Sequence, residues 1–554
     1  MTMGRHSSPS LKGRALPKLC GADIELGNFI AGMDQHGGTG YEASRALLAE
    51  IQGLPVRQNF HGDNWYSTAS TTPRASTGSL SGICANPSDW AWNPQDVNRR
   101  FLASNGGSAY IDLNHAELCI PEVMSAFDHV AAWHGMLRIV RGALDRANEG
   151  RSADRRIQVL VNNSDGQGNS YGSHLSFLIG RCTFDNIFRR KAHYQQFLAS
   201  FQISSILLTG QGKVGSENGR PYTPYQISQR ADFFETLQGI QTTCNRPIVN
   251  ARDETLCGRS RANDPTAAAR LHVIFFDSAL AHGSCLFRVG PMQLILTLLE
   301  LGLVNPRLIL DDPLAALEHL SHDATLKARA ELITGQRMTA LELQCACLDE
   351  VKRHAARGVF QEVVPRADEI IALWEDTLNK FIAGDLMALA PRLDWVMKLM
   401  AIERAMEQRP ELDWDSPEIK VIDHLYSSLD DDGLYRAYET CGFTEQLVSQ
   451  ETIDRFETHP PADTRAWTRA MLLRRAASDC VEVESVDWDR MTFKIRGRFA
   501  WPSYRSVNLA DPLGFTEEQA QPIFDSCADF GDLLDGLESL SANEAIPSDA
   551  ITVN

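Results

Sequence analysis

Apolar and polar residues alternate with a period of two in Ala22–Leu26 and again in Ala109–Leu113, a spacing that sends successive side chains to opposite faces of a β-strand. Short apolar runs at Ile157–Val161, Ile203–Leu208, Tyr225–Ser228 and Leu271–Phe276 also read as strands. Between them, Val123–Ala147 and Met292–Leu303 carry apolar residues at three- and four-residue spacings and read as helices. That helical spacing runs almost unbroken from Ala324 to Glu407, and these helices are expected to cover one face of the sheet. The fold class is therefore α+β, with a substantial sheet in a large domain. Beyond Asp430-Asp-Asp-Gly433, a short helical stretch and a strand pair in Val481–Arg496 predict a small C-terminal domain.

A length of 554 residues exceeds what one hydrophobic core usually serves. The division expected is a polar tail over 1–18, a large domain over 19–425, a small domain over 426–535 and an acidic tail over 536–554. Within the large domain, 62–104 is polar, rich in Ser and Thr, and reads as a long loop or lid. With 43% apolar and 22% charged residues the chain should be globular. A formal charge of -18 disfavours nucleic acid as a partner, because phosphate contacts need clustered Lys and Arg. No apolar run approaches the roughly twenty residues that cross a bilayer, so no membrane partner and a cytoplasmic location are expected. The 12 cysteines are scattered, as in a reducing compartment, and Cys345 and Cys347 diverge on a helix, so they make no zinc site.

Candidate chemistry collects on a few segments. In the first strand Asp23 and Glu25 share a face while Ile24 and Leu26 face the core, and two carboxylates on one face suit a hard cation. The second puts Tyr110 and Asp112 together, with His115 and Glu117 close behind. Pairing of these two strands would gather the acids, and their repulsion is tolerable when Mg²⁺ or a cationic substrate sits among them. Asn162–His174, reading NNSDGQGNSYGSH, follows an apolar strand with glycines, amides and His174. Arg230 and Arg252 offer forks for phosphate oxygens. His272 sits in another apolar strand. Gly210–Gly215 fits GxGxxG but no helical pattern follows it, and Gly168–Gly172 fits GxSxG with Ser170 well past the strand end, so neither match is taken as a site.

In order along the chain, GADIELG (Gly21–Gly27), AYIDLNHAELCIPEV (Ala109–Val123), NNSDGQGNSYGSH, TGQGKVG, YQISQRAD, RPIVNARDE (Arg246–Glu254), RLHVIFFDSAL (Arg270–Leu280), THPPADTRAW (Thr458–Trp467) and VDWD (Val486–Asp489) resemble the Pup ligase/depupylase family. The resemblance implies a glutamine-synthetase-like large domain with a curved, mainly antiparallel sheet, binding ATP and Mg²⁺. It marks Asp23, Glu25, Glu117, His174 and His272 as metal or phosphate-site residues, and Asp112 as the catalytic carboxylate, accompanied by Tyr110. Arg230, Arg252, Arg465 and Trp488 are implied as nucleotide or substrate contacts. The implied partner is a small protein modifier or peptide ending in Gln or Glu, with lysine-bearing proteins as further targets. Family members either hydrolyse a side-chain amide or isopeptide, or ligate the modifier at the expense of ATP. The length of the segment between Glu25 and Asp112, together with QISQRADFFE, leans toward the depupylase/deamidase branch. A nucleotide-binding protein without catalysis is the reading that retention of Asp23, Glu25 and Asp112 argues against.

Overall fold

The computed structural model describes residues 15–33, 39–52, 54–55, 99–254, 256–257, 267–496 and 502–543. Residues 62–98 of the expected loop, and the chain ends before 15 and after 543, lie outside the described residues. Seven strands form the main sheet: β1 (Cys20–Glu25), β2 (Leu54–Pro55), β3 (Arg100–Phe101), β4 (Ser108–Asp112), β5 (His115–Cys119), β6 (Ser173–Gly180) and β7 (Ala268–Val273). Their order is β7-β6-β1-β5-β4-β3-β2, and every neighbouring pair is antiparallel. The expected α+β class is what the chain adopts.

One sheet face is mostly apolar, with Ser173 opposite Ile24 and Arg100 opposite Ala109 as polar exceptions. Ala22, Ile24, Ala109, Ile111, Ala116, Leu118, Leu175, Phe177, Leu271 and Val273 are all buried in the large core. The helices Ala126–Asn148 and His282–Glu300 belong to the same core, and the Trp133 indole N–H donates at 2.8 Å to Ala279 O in the segment leading into the second helix. The first of these helices starts where Ser125 Oγ accepts from Phe127 N, one of the donors a helix start leaves unpaired. The helices Ala340–Ala355 and Ala367–Ile382 bear out the helical spacing beyond Ala324, but they pack on each other and on the helices Ala192–Ser204 and His282–Glu300, as a layer outside these, and not on the sheet face as expected.

Four further expectations are corrected. Ile203–Leu208 is helical, spanning the end of a helix at Ala192–Ser204 and the turn Ile206–Thr209. The segment is buried on every side, which leaves no period to read, and Ser200 and Ser204 donate their hydroxyls to Gln196 O and Ser200 O within the helix. The two acidic strands do not pair directly, because β5 lies between them. The polar tail ends before Lys18, which is buried against Glu300; that carboxylate also accepts from Leu16 N at 3.1 Å and Gly180 N at 2.6 Å. Finally, Tyr426, Tyr435, Ile453 and Phe456 belong to the large core, so Asp430–Gly433 is a turn inside it, not a boundary.

A second core begins near Trp467 and holds Met491, Phe493, Val507 and Leu533 together with Phe101 of β3. It is built on the helix Ala466–Ser478, a three-stranded sheet over Glu482–Val486, Arg490–Arg496 and Pro502–Asn508, and two helices ending at Asn543. The last helix, Phe530–Asn543, takes up eight residues of the expected acidic tail (536–543).

Glu122, just past β5, joins the two cores. Arg465 Nε donates to Glu122 Oε1 at 2.8 Å, Arg469 donates to both carboxylate oxygens, and Thr464 Oγ1 donates to Glu122 O at 2.9 Å. Burial alone would raise the Glu122 carboxyl, but Arg469 and Arg465 overcome it and hold it at about 2, down from 4.5. A depressed carboxylate stabilises the fold above its unfolded value near 4.5, and that contribution is lost as the pH falls toward 2. At about 1.4 kcal/mol per pH unit the contribution is on the order of 3 kcal/mol at neutral pH. Glu122→Gln should therefore lower stability by about 3 kcal/mol in urea unfolding at pH 7. The gap to wild type should narrow as the pH is taken from 5 to 3, and a gap that stays constant would show that Glu122 is not held ionised.

Candidate functional site

The polar face of the sheet opposite the core gathers the candidate residues. Cross-strand register does this: Glu25 on β1 lies opposite Glu117 on β5, which lies opposite Tyr110 on β4, and the Tyr110 hydroxyl donates to Glu117. One step along, Asp23 lies opposite Cys119 on one side and His174 of β6 on the other. His272 on β7 reaches the same face opposite Ser176. Asp112 ends β4 opposite His115, and the next residue, Leu113, takes a left-handed conformation at φ 51° in the tight turn to β5.

Among the described residues three donor groups result, each with its ligand atoms within 4.8 Å of one another: Glu25, Asp112 and Glu117; Asp23, His174 and His272; and Asp23, Glu117 and Cys119. Burial, followed by the charges of Glu25, Asp23 and Asp112, raises Glu117 well above the ordinary carboxylate range. Burial also pushes Glu25 up, but His174, the Gly172 N–H, His115 and Arg230 together bring it below its usual value. Burial lowers His174 and His272, so both are neutral imidazoles at pH 7. Both ring nitrogens of buried His272 lack a hydrogen-bond partner. A carboxyl driven to keep its proton by neighbouring acids, and, farther along the same sheet face, a buried imidazole with nothing to bond, are features that bound divalent cations would relieve.

The NNSDGQGNSYGSH segment acts on this face mainly through its backbone. Gly172 N donates to Glu25 Oε2 at 2.6 Å, Tyr171 stacks on His115 at 4.4 Å between ring centroids, and Tyr171 O accepts from Arg230 at 2.5 Å. Asn163 N donates to Gln229 Oε1 at 2.7 Å, tying the segment to the stretch that carries Arg230. Arg230 is fully buried, and burial followed by Arg246 lowers it to about 10, so it keeps its charge.

The remaining candidates sit farther from the acidic row. Arg252 pairs with Glu254, 3.3 Å away, near enough to His272 to contribute to its lowering. Arg465 is spent on structure: besides Glu122 it donates to Leu509 O at 2.8 Å and Leu256 O at 2.9 Å. Trp488 lies edge-on to Phe101 at 5.4 Å and under the Arg469 guanidinium at 4.7 Å, in the second core. Arg99 stands over the Tyr110 ring at 4.4 Å and brings a positive charge to the acidic row that sequence reading missed. Cys119 was missed as well, although its position two residues past Glu117 is the signal that places it on the same face.

Residues 34–492 match the family model described as Pup-ligase protein. The chain is 32% identical over 438 residues to the depupylase of Acidothermus cellulolyticus, an alignment covering 79% of this chain and 83% of that protein. It is 32% identical over 428 residues to the Pup deamidase/depupylase of Mycolicibacterium smegmatis, covering 77% and 81%. It is also 32% identical over 430 residues to the Pup–protein ligase of Acidimicrobium ferrooxidans, covering 76% and 88%. Among solved structures, the complex of prokaryotic ubiquitin-like protein Pup with its ligase PafA has the same fold, with a TM-score of 0.72 at 23% identity over 96% of this chain and 94% of that one. PafA in complex with ADP matches with a TM-score of 0.65 at 26% identity, over 80% of this chain and 90% of that one.

A methyl group at Gly172 would lie 2.3 Å from His174 Nε2 and 2.5 Å from Glu25 Oε1, closer than either contact tolerates. Gly172→Ala should therefore fold but bind Mn²⁺ at least about tenfold more weakly, as displacement of an orienting contact does. Calorimetric titration checks this, and unchanged affinity would remove Glu25 and His174 from the cation site.

Proposed function

The chain belongs to the Pup-ligase protein family and is an enzyme of that family; from this premise we propose that its acidic sheet face hydrolyses a glutamine side-chain amide or an isopeptide bond of a small Pup-like modifier, with nucleotide and Mg²⁺ bound. The observation that carries the reading is the convergence of Glu25, Asp112 and Glu117 from three adjacent strands on one face, ligand atoms within 4.8 Å of one another. Nucleotide binding is supported by the likeness to the ADP complex of PafA. A modifier as partner is supported by the names of the relatives.

In this reading Glu25 and Glu117 hold one divalent cation, and Asp23 with His174 and His272 hold a second. A bound cation supplies positive charge that polarises a phosphate or carbonyl oxygen. Asp112, at a strand end beside a tight turn, accepts the proton of the attacking water or attacks the carboxamide carbon itself. Tyr110 donates its hydroxyl to Glu117, which keeps that carboxyl aligned. Arg230 and Arg252 supply positive charge for phosphate oxygens on the side of Tyr171 and His272. Arg465 and Trp488 serve by fixing the second core beside β3 and Glu122. Ligation is the second reading, since a ligase aligns at the same 32% identity as the two hydrolytic relatives.

The test is mass and nucleotide analysis of modifier peptides ending in Gly-Gly-Gln or Gly-Gly-Glu, and of a modifier–lysine isopeptide, with ATP and Mg²⁺. Loss of the amide without matching ADP is expected, and Asp112→Asn should slow it about 100-fold or more. Stoichiometric ADP with a new amide bond would establish ligation instead. Equal activity in Asp112→Asn would overturn the assigned centre.

A further inference from the structure

The register that lines up the acids also sets what ends their row. Arg100 lies opposite Ala109 and Phe101 opposite Ser108, so one residue further Arg99 falls opposite Tyr110, with its guanidinium 4.4 Å from the centre of that ring. Across the sheet the row runs Arg99, Tyr110, Glu117, Glu25. Phe101 shares the face of Arg99 and is sealed into the second core, with Trp488 edge-on to it at 5.4 Å, while Ser108 opposite is fully buried. That closes one side of the guanidinium. The other side leads toward Asp112, which is less buried than the rest of β4 and lies diagonally across from Arg99, a spacing of about 7–8 Å between strands.

A glutamine at the end of a chain brings two groups to such a face. Its side-chain carbonyl goes to Asp112, and its α-carboxylate, one side-chain length away, is an anion. An isopeptide made through that side chain leaves the same α-carboxylate in place. Asp23, Glu25, Asp112 and Glu117 would repel it. Three guanidinium groups stand toward the far edge of the face: Arg230 donates to Tyr171 O, and Arg252 and Arg270 both pair with Glu254. Arg99 stands on the near side, against the strand that ends in Asp112. A guanidinium keeps its charge, and its planar fork matches two carboxylate oxygens.

Resting on the reading of this face as the centre that hydrolyses a glutamine amide or an isopeptide, we propose that Arg99 binds the free α-carboxylate of the modifier's last residue and so restricts the enzyme to chain ends. Stacking on the Tyr110 ring holds the guanidinium in place, and Tyr110 is itself fixed by donating to Glu117. A glutamine within a chain offers a neutral amide at that point. The guanidinium would then lose its anion, and a site built for a polar group rejects the analogue that lacks it.

The full chain, with ATP and Mg²⁺, is given two peptides ending in Gly-Gly-Gln, one with a free α-carboxylate and one capped as the N-methylamide, and side-chain deamidation is followed by mass. Wild type should favour the free acid about tenfold or more in kcat/KM. Arg99→Gln should lower kcat/KM at least about tenfold on the free acid and much less on the capped peptide, so that the preference collapses, while ADP binds with wild-type affinity in calorimetry. Arg99→Lys, which keeps the charge and loses the fork, should recover part of the preference. A fall by the same factor on both peptides in Arg99→Gln would show a merely structural role and overturn the proposal. Weaker ADP binding with the preference intact would overturn it too, and assign Arg99 to the nucleotide. Equal turnover of both peptides by wild type would overturn the proposal and leave the reading of the face standing. Hydrolysis of neither would overturn that reading, and the proposal with it.

Discussion

Repulsion among carboxylates is the constraint around which this structure is arranged. Asp23, Glu25, Asp112 and Glu117 lie on one side of a sheet whose other side is fixed by the large core, so they have no freedom to move apart. Like charges this close cannot all ionise without compensation. The protein supplies part of it: against burial, His174, then the Gly172 backbone N–H, His115 and Arg230 favour the ionised form of Glu25, and the strain falls on Glu117, which is pushed toward keeping its proton. In the function proposed above, a bound cation would supply the rest. A face built this way is poised to bind, because the fold has already met the cost of assembling it.

Much of this was legible in the chain because strands with one face in the core betray themselves by alternation. Asp23, Glu25, Tyr110 and Asp112 were placed correctly relative to Ile24, Leu26 and Ile111 by a period of two alone. The intervening strand was not, since His115–Cys119 is too short and too mixed to separate from the turn before it, and a hairpin of this kind is set by pairing rather than by pattern. Cys119 went unnoticed for the same reason. Ile203–Leu208 misled because a segment buried all round has no polar side to give it a period.

Long-range ion pairs were the least legible feature. Nothing near Glu122 in the sequence announces Arg465 and Arg469, more than three hundred residues away, and the resemblance that marked Arg465 as a ligand contact gave no hint of its bonds to Glu122, Leu509 and Leu256. The acidic turn at Asp430–Gly433 looked like a boundary, yet Ser428 bridges to Leu160 and the chain on both sides enters the large core. The two cores part nearer Trp467, where composition does not change.

Glu122 sits three residues beyond Cys119, and its two arginines come from the start of the second core, which also takes in Phe101 from the main sheet. The chain is therefore not modular where its cores part. An amino-terminal fragment cut short of Thr464 would carry an uncompensated acid and a bared aromatic on the very sheet that bears the chemistry, and a carboxy-terminal fragment would carry two orphaned guanidinium groups. Dissection into halves would dismantle both, and a graft of either onto another scaffold would have to bring its counterpart along.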